Sequence, residues 1–235
     1  MWVYTRTGKY LWPIMVRLLT FAPPRKADLW WGLTDEANAT EGCCMTNRRR
    51  CAWAEDDPLM SAYHDEEWGV PQRDSRMLWE MLMLEGFQAG LAWIIVLRKR
   101  EAFRKAFAGF NPRTVSRFGE ARVLRLMADA GIIRARAKIE ATIRGAQIYC
   151  EMEDRGESFC DFCWSFTHGQ VVKGGGRKWI ASSPLSERIS KEMKRRGFKF
   201  VGPTIVYAWM QAVGIVNDHS TGCFRRAQLV DPNSL

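Results

Sequence analysis

The sequence predicts an all-α fold in one compact domain. Apolar residues recur at helical spacing along most of the chain and indicate about eight helices. We find no convincing strand alternation and no long-period repeat. With 235 residues and 47% hydrophobic content, the chain is long enough for one or two domains with a sizeable core.

The first two predicted helices flank a corner that contains glycine. Asp74 is a suitable N-cap for a helix from Ser75 to Leu84, whose mostly apolar positions predict burial. An amphipathic helix follows over Ala92–Phe107. The segment Leu84–Trp93 between them carries two glycines and is interpreted as the corner. Upstream, Cys51–Gly69 is dense in aromatic and acidic residues and is interpreted as irregular.

Local start and stop signals define the remaining helices. Asn111 and Pro112 read as an N-cap followed by proline, and Gly197 closes a helix that begins at Ser183 and Pro184. The predicted spans are Pro112–Arg117, Glu120–Ala128, Ala135–Glu153, Pro184 to Gly197, and Pro203 to about Val213.

The charge balance favours an anionic partner. The formal net charge is +9, and eleven tryptophans are interleaved with basic residues. Nucleic acid is the first candidate because aromatic rings among cations suit base stacking, and a membrane surface is the second. Mere solubility is the alternative. No apolar stretch approaches the roughly 18 residues that a membrane span needs, so none is predicted.

Cysteine usage indicates a reducing compartment. Seven cysteines form no even disulfide framework, and we expect a cytoplasmic protein with free thiols and some thiols on metal. Cys160 and Cys163 are interpreted as buried apolar residues, although their spacing also suits a redox or metal role.

Residues 1–46 do not match the rest of the chain. We expect an extension over residues 1–46, disordered or not native, ahead of a folded domain over residues 47–235. The first 27 residues carry five basic side chains and no acid, as in a weak signal or transit segment, yet no clear cleavage site follows. Translated upstream sequence, with Met45 as the native start, is the interpretation we favour.

Two cysteines and two histidines have the spacing of metal ligands. Cys51 and His64 are separated by twelve residues, and His219 and Cys223 by three. Thiolate and imidazole ligands at such spacings fit tetrahedral zinc. Four protein ligands would make a structural site that tethers both ends of the core region. Unrelated cysteines beside core histidines are the alternative.

A tight turn with Gly131 joins two predicted helices and resembles a helix–hairpin–helix. Such a turn can direct backbone N–H groups at a DNA phosphate, and Arg134, Arg136 and Lys138 add charge directly after it. By itself, an ordinary helix corner closed by glycine is the simpler interpretation.

Aromatic residues surround the corner and the metal-like pairs. Trp53, Tyr63, Trp68 and Trp93 flank a lone carboxylate, Glu85. Aromatic walls with one carboxylate suit a flipped, cationic purine through stacking, cation–π attraction and a charge-assisted hydrogen bond. The alternatives are core aromatics and a solvated glutamate at a helix end.

Six strings in a fixed order carry a family resemblance: Arg50–Trp53, Tyr63–Pro71, Leu84–Leu91, Ala130–Arg134, Arg196–Gly202 and Val216–His219. They strongly resemble 3-methyladenine DNA glycosylase I. The match runs from about Arg50 to about Arg226 and leaves residues 1–44 outside.

The resemblance implies an all-helical fold of the helix–hairpin–helix DNA glycosylase superfamily, with residues 47–235 as the glycosylase domain. It implies one structural zinc ion that ties the N- and C-terminal junction of this domain. The implied ligands are Cys51, His64, His219 and Cys223. Glu85 is the implied recognition and catalytic carboxylate, and Tyr63 and Trp93 line the implied pocket.

The implied activity is base-excision repair. A monofunctional enzyme, expected as a monomer, would hydrolyse the N-glycosidic bond of 3-methyladenine in double-stranded, alkylated DNA by base flipping. Leu91 is a candidate wedge, with buried core as the alternative. Met60 stands where the family often has tyrosine, which would weaken aromatic contact, and Ala92 where serine is common.

Three other functions compete. A lyase of the same fold would need an amine in the pocket, whereas the nearest lysine, Lys138, falls in the helix after the hairpin. A zinc-stabilised DNA-binding module would gain nothing from a carboxylate at Glu85. A zinc hydrolase would need an open coordination position.

Overall fold

The structure, a computed structural model, describes residues 48–176 and 180–229. The predicted extension at residues 1–46 lies outside the described residues, so its boundary with the domain stays a prediction. Helices dominate the described part of the chain, which confirms the all-α prediction. Within it, no helix combines the length and apolar character needed to cross a membrane.

Ten α-helices, two short 3₁₀ helices (Ala52–Ala54 and Ala108–Phe110) and two short strands form the regular structure of the described ranges. The helices are α1 Pro58–Glu66, α2 Ser75–Gln88, α3 Trp93–Ala106, α4 Pro112–Val115, α5 Glu120–Ala128, α6 Arg136–Asp154, α7 Phe159–Ser165, α8 Pro184–Arg195, α9 Pro203–Ala212 and α10 Phe224–Gln228. The strands are β1 Val172–Lys173 and β2 Val216–Asn217. Every helix predicted with defined ends is present, and the largest difference is at the C-terminus of α2.

The central helix is α2, which contacts α3, α6, α7 and α9. Five of its large side chains have no exposed surface: Leu78, Trp79, Leu82, Leu84 and Phe87. A helix surrounded in this way is apolar on nearly every face, which explains why its sequence shows little amphipathic pattern. Packing on all sides fixes the position of its last turn.

One helix, α1, occupies the segment that was predicted to be irregular, and that prediction is wrong. The Asp57 side chain accepts hydrogen bonds from the backbone N–H groups of Leu59 (2.8 Å) and Met60 (3.3 Å). Pro58 occupies the first turn, where its missing N–H costs nothing. The helix is short and mixes apolar with polar residues, so its periodicity is weak, but the Asp57 cap could have been recognised in the sequence.

The corner is shorter than predicted because α2 continues to Gln88. Glu85 therefore lies inside the helix, in its last turn, instead of in a loop. Gly86 costs the helix about 1 kcal/mol relative to alanine, which the burial of the neighbouring Phe87 outweighs. The actual corner is residues 89–92, where Gly90 has a φ of 81° that favours glycine.

The two strands pair in parallel, with Val172 opposite Val216 and Lys173 opposite Asn217. Strands of two residues are too short to show alternation, so they could not be predicted from the sequence. The pairing holds the tail that follows α9 beside the loop that follows α7.

Two helices, α5 and α6, are joined by a tight turn at the place where the helix–hairpin–helix was predicted. We call residues 129–135 the hairpin. Asp129 Oδ1 accepts a hydrogen bond from the Gly131 N–H (2.7 Å), and Ile132 is buried beneath the turn. The hairpin therefore has a defined conformation.

Candidate active site and metal centre

Four side chains meet between α1, the segment before it and the tail after β2: Cys51, His64, His219 and Cys223. All four are buried, and their potential ligand atoms lie within 4.8 Å of one another. Cys223 Sγ is 3.3 Å from His64 Nε2 and 3.4 Å from His219 Nδ1. The structure thus brings together all four residues that were predicted to bind metal.

Tetrahedral geometry provides a test of this group. Zinc bonds of about 2.3 Å to sulfur and about 2.0–2.1 Å to nitrogen place the ligand atoms about 3.3–3.8 Å apart. The two imidazole nitrogens are 3.2 Å apart, and Cys51 Sγ is 3.7 Å from His219 Nδ1. The donor set and its spacing fit a tetrahedral metal ion. The described residues contain no second group of this kind.

Neighbouring groups orient both imidazoles. His64 Nδ1 lies 2.8 Å from a carboxylate oxygen of Asp65, which Arg50 holds in turn with two guanidinium nitrogens. His219 Nε2 lies 3.2 Å from the Trp68 carbonyl. Such contacts fix the tautomer, and they leave one nitrogen of each ring facing the metal group.

The two thiols of the metal group have shifted pKa values. Burial by itself raises the pKa of the Cys51 thiol, but hydrogen bonding to His219 and His64 outweighs it and lowers that pKa to about 5. Burial and the nearby charge of Cys51 raise the pKa of the Cys223 thiol. A thiolate is therefore favoured at Cys51, and the thiolate is the form that binds metal.

A cavity of about 620 Å³ lies directly beside the metal group. Its lining includes every residue predicted to bind a base, together with the predicted catalytic carboxylate and the predicted wedge: Trp53, Tyr63, Trp68, Trp93, Glu85 and Leu91. Cys51 also borders it. Residues more than 40 positions apart in the sequence thus share one site.

Glu85 is the buried carboxyl of this cavity. Its residue is 3% exposed, and its Oε2 has no hydrogen-bond partner among the described residues. Burial raises the pKa of this carboxyl from 4.5 to about 8, so it is mostly protonated at neutral pH. An unpaired buried carboxyl is costly, and a ligand that supplies a donor or a positive charge would relieve the cost.

The aromatic walls of the cavity contact the metal group. The ring of Trp53 packs against His64 with centroids 5.3 Å apart and edge-on against Trp68 at 5.0 Å. Trp68 packs edge-on against His219 at 4.6 Å. The metal ligands are therefore neighbours of the rings that shape the cavity.

A second ring pair also borders the cavity. Tyr63 and Trp93 lie with their centroids 5.5 Å apart. The indole Nε1 of Trp93 is buried without a partner in the described part of the chain. The cavity is therefore bordered by an unpaired donor as well as an unpaired acceptor.

The residues predicted to contact DNA fall into two places. Leu91 is 39% exposed at the corner, and Arg134 is exposed at the hairpin. Gly131 is in the hairpin, where its N–H is already bound to Asp129. The ammonium of Lys138 donates to two backbone carbonyls of the α2 C-terminus. Contacts of these residues with DNA stay predictions.

Several lining residues were not predicted as site residues from the sequence. Thr204 and Gln211 reach the cavity from α9, and Asp218 from the tail. Asp218 accepts hydrogen bonds from the side chains of Tyr207 (2.9 Å) and Gln211 (2.7 Å). Asp218 lies in the string Val216–His219, but that string assigned it no role, and the two α9 residues belong to no local motif. Only the packing of α9 against α2 places them at the cavity.

Comparison with known proteins extends the geometric picture. The sequence model of the family described as methyladenine glycosylase matches residues 53–226. The chain belongs to the methyladenine glycosylase family. The match spans the cavity, the hairpin and both histidines of the metal group, and it confirms the resemblance found in the sequence.

Individual members of the methyladenine glycosylase family are similar to this chain over most of their length. DNA-3-methyladenine glycosylase 1 of Escherichia coli is 53% identical over 177 residues, which cover 74% of this chain and 95% of that protein. A crystal structure of 3-methyladenine DNA glycosylase I has a TM-score of 0.73 and 52% identity, covering 75% of this chain and 98% of its own. A further structure, of a variant in complex with 3-methyladenine, has a TM-score of 0.72 and 34% identity, covering 75% and 97%.

Proposed function

We propose that the protein is a DNA glycosylase that hydrolyses the N-glycosidic bond of 3-methyladenine in alkylated double-stranded DNA. The observation that carries the proposal is the unpaired, buried carboxyl of Glu85 in an aromatic cavity. Two relatives are named for this activity, and a related variant is in complex with 3-methyladenine.

The chemistry of the lesion explains what the cavity has to do. Methylation at N3 makes the adenine of the nucleotide cationic, which weakens the glycosidic bond, and the base leaves as a neutral molecule. The enzyme therefore has no need to protonate the leaving group. Its tasks are to extrude the nucleotide, hold the base and stabilise the charge that develops on the sugar while water attacks.

Glu85 recognises the charge of the lesion. In the empty cavity its carboxyl is mostly neutral, because burial raises its pKa to about 8. A cationic base nearby lowers that pKa and converts the carboxyl to a carboxylate, which then accepts a charge-assisted hydrogen bond from the base edge. Neutral adenine supplies no such charge and is also a poor leaving group, so both effects favour the methylated base.

The aromatic residues hold the base after it has left the stack. Trp53, Tyr63, Trp68 and Trp93 border the cavity and offer ring faces for stacking and cation–π attraction. Leu91, exposed at the corner beside the cavity, fills the gap in the duplex. The hairpin, which includes the exposed Arg134, binds phosphates of the same duplex.

The metal ion is zinc and its role is structural. Two thiolates and two imidazoles are a zinc donor set, and four protein ligands leave no position for a water molecule. When bound, zinc would link the segment before α1 to the tail after β2 through its bonds to the four ligands. That tie supports the tryptophan rings that pack on His64 and His219.

The reaction is monofunctional. A lyase forms a covalent link to the sugar through an amine. No lysine borders the cavity among the described residues, and Lys138 Nζ is engaged by carbonyls at 2.7 and 2.9 Å. We place the protein in the cytoplasm because its cysteine usage indicates a reducing compartment. We expect a monomer, since one cavity suffices for one lesion.

The decisive experiment is release of free base from alkylated duplex DNA, followed by chromatography. We expect wild type to release 3-methyladenine and Glu85→Gln to release it much more slowly. The matched control is Glu187→Gln, which changes an exposed glutamate of α8 and should match wild type. No release by folded, zinc-loaded wild type would instead indicate a DNA-binding module or a glycosylase for another lesion. Trapping of a DNA adduct by borohydride would indicate a lyase.

A further inference from the structure

Two lysine side chains donate hydrogen bonds to backbone carbonyls at the two turns that face DNA in the proposed function. Lys138 Nζ, in the first turn of α6, donates to the carbonyls of Phe87 (2.9 Å) and Ala89 (2.7 Å). These carbonyls end α2, where the last C=O groups have no partner within the helix. A cation at a helix C-terminus is also favoured by the helix dipole.

The second lysine does the same at the hairpin. Lys99 Nζ, on α3, donates to the carbonyls of Ala130 (2.9 Å) and Gly131 (3.1 Å). Its ammonium thereby takes the place that a bound cation would occupy between two carbonyl oxygens. The opposite side of the same turn is fixed by Asp129, which accepts the Gly131 N–H.

Together the two lysines complete a closed path of contacts through the corner, α3, the hairpin and α6. The corner leads into α3, which carries Lys99, and Lys99 binds the hairpin. The hairpin leads into α6, which carries Lys138, and Lys138 binds the carbonyls at the corner. Each lysine therefore links one DNA-facing turn to a helix that begins at the other.

We propose that Lys99 and Lys138 are positioning residues: a two-lysine clamp that holds the corner at a fixed distance from the hairpin during base extrusion. The proposal rests on the proposed function, in which Leu91 enters the duplex while the hairpin holds its phosphates. Misplacement of reacting groups by about 1 Å costs on the order of a hundredfold in rate. A fixed distance between the two turns would prevent that loss.

The clamp differs from a pair of phosphate contacts. An ammonium has three donors, and each lysine already uses two of them on carbonyls. Burial lowers the pKa of Lys138, as expected for an ammonium drawn away from solvent. Arg134, by contrast, is exposed and has no ion pair in the described part of the chain.

Salt dependence of binding to undamaged duplex separates the two roles. Each phosphate contact contributes about 0.9 to the slope of log K against log salt concentration. We expect Arg134→Met to reduce that slope by about 1, whereas Lys99→Met and Lys138→Met leave it unchanged. A reduction of about 1 in either lysine variant would overturn the clamp, because it would identify that lysine as a phosphate contact. Lys191→Met, on the exposed face of α8, controls for general loss of charge.

Amide hydrogen exchange tests the coupling without any catalysis. The reporters are the Leu91 N–H, bonded to the Gln88 carbonyl, and the Gly131 N–H, bonded to Asp129. We expect Lys99→Met to speed exchange at Leu91 about tenfold although Lys99 does not touch the corner. Lys138→Met should do the same at Gly131. Faster exchange confined to the turn that each lysine touches would mean two separate caps and would overturn the proposal.

Single-turnover excision completes the test. Each lysine variant should slow release from duplex DNA about tenfold. The double variant should be no slower than the slower single variant, because loss of either lysine already interrupts the path of contacts. Multiplying effects would overturn the clamp. If wild type releases no base, the proposed function fails, and the salt slopes and amide exchange still decide the clamp.

Discussion

Tyr63 and His64 are consecutive residues of α1 that serve two different sites. The Tyr63 ring borders the cavity and packs against Trp93, while His64 Nε2 lies 3.3 Å from Cys223 Sγ in the metal group. One helical step thus separates a cavity wall from a metal ligand. Because both side chains project from the same short helix, we expect changes in the metal group to affect the cavity wall.

Removal of the metal should destabilise the protein and loosen the cavity. We expect one zinc ion per chain, because binding to a structural site stabilises the folded state. We expect its removal to lower the melting temperature by roughly 10 °C, which for a chain of this size corresponds to about 3–5 kcal/mol of unfolding free energy. Elemental analysis and thermal unfolding with and without a chelator measure both. Cys51→Ser should lose the metal, and Cys160→Ser should keep it. Full metal content in Cys51→Ser would contradict the assignment of the ligands.

The stability of the wild type should fall as pH rises through the titration of Glu85. The carboxyl has a pKa of about 8 when folded and about 4.5 in the unfolded chain. Below pH 4.5 both states hold the proton and the contribution to stability is complete. Between pH 4.5 and 8 only the folded state holds it, so stability falls by about 1.4 kcal/mol per pH unit, and above pH 8 the loss is complete.

Glu85→Gln has no titrating carboxyl at this position. Its free energy of unfolding, relative to that of the wild type, should therefore increase across the same pH interval. Urea unfolding at a series of pH values measures the difference, with Glu187→Gln as the control that should follow the wild type. Parallel curves for Glu85→Gln and wild type would show that the carboxyl is not held neutral by burial.

Restoring an aromatic ring at Met60 should strengthen binding of the base. Met60 borders the cavity one turn before Tyr63, so a tyrosine there adds a ring to the same wall. Aromatic pairs contribute about 0.5–1.5 kcal/mol beyond their buried area, so Met60→Tyr should bind free 3-methyladenine about two- to tenfold more tightly. Calorimetry provides the affinity. Leu59→Tyr adds the same ring at an exposed neighbour that does not border the cavity and should leave the affinity unchanged.

Truncation of the corner should affect duplex DNA selectively. Leu91→Ala removes the apolar tip beside the cavity, so excision from duplex should slow about tenfold, in the range expected for loss of a group that replaces stacking. Excision from single-stranded DNA, where no partner base is displaced, should change little. Ile95→Ala truncates an exposed apolar residue of α3 that does not border the cavity. Equal slowing on both substrates would exclude a wedge.

Side-chain motifs carried the parts of the site that could be predicted. The metal ligands could be predicted because few residue types bind metal and because the two residues of each pair are close in sequence. These ligands are Cys51, His64, His219 and Cys223. Glu85 was legible because a carboxylate stands out among apolar residues. The same reasoning failed for α1, where the Asp57 cap was present but the short helix showed only a weak apolar periodicity.

Contacts to the backbone left no trace in the sequence. A DNA contact was predicted for Lys138 from its charge and its place after the hairpin, but the hydrogen bonds that it donates to the carbonyls of Phe87 and Ala89 were not predicted. A carbonyl is present at every position, so no residue type marks it as a partner. Asp218 is similar, since its contacts depend on how α9 packs rather than on neighbouring residues.

The burial of Glu85 has a consequence for turnover. In the proposed function the base is cationic while it is bound to the sugar, and the carboxylate that it induces would hold it firmly. Once the glycosidic bond breaks, the base would become neutral and the carboxyl, whose pKa in the cavity is about 8, would take up a proton again. The attraction that selects the lesion would thereby disappear with its cleavage, and the product would leave a site that has returned to its resting protonation state.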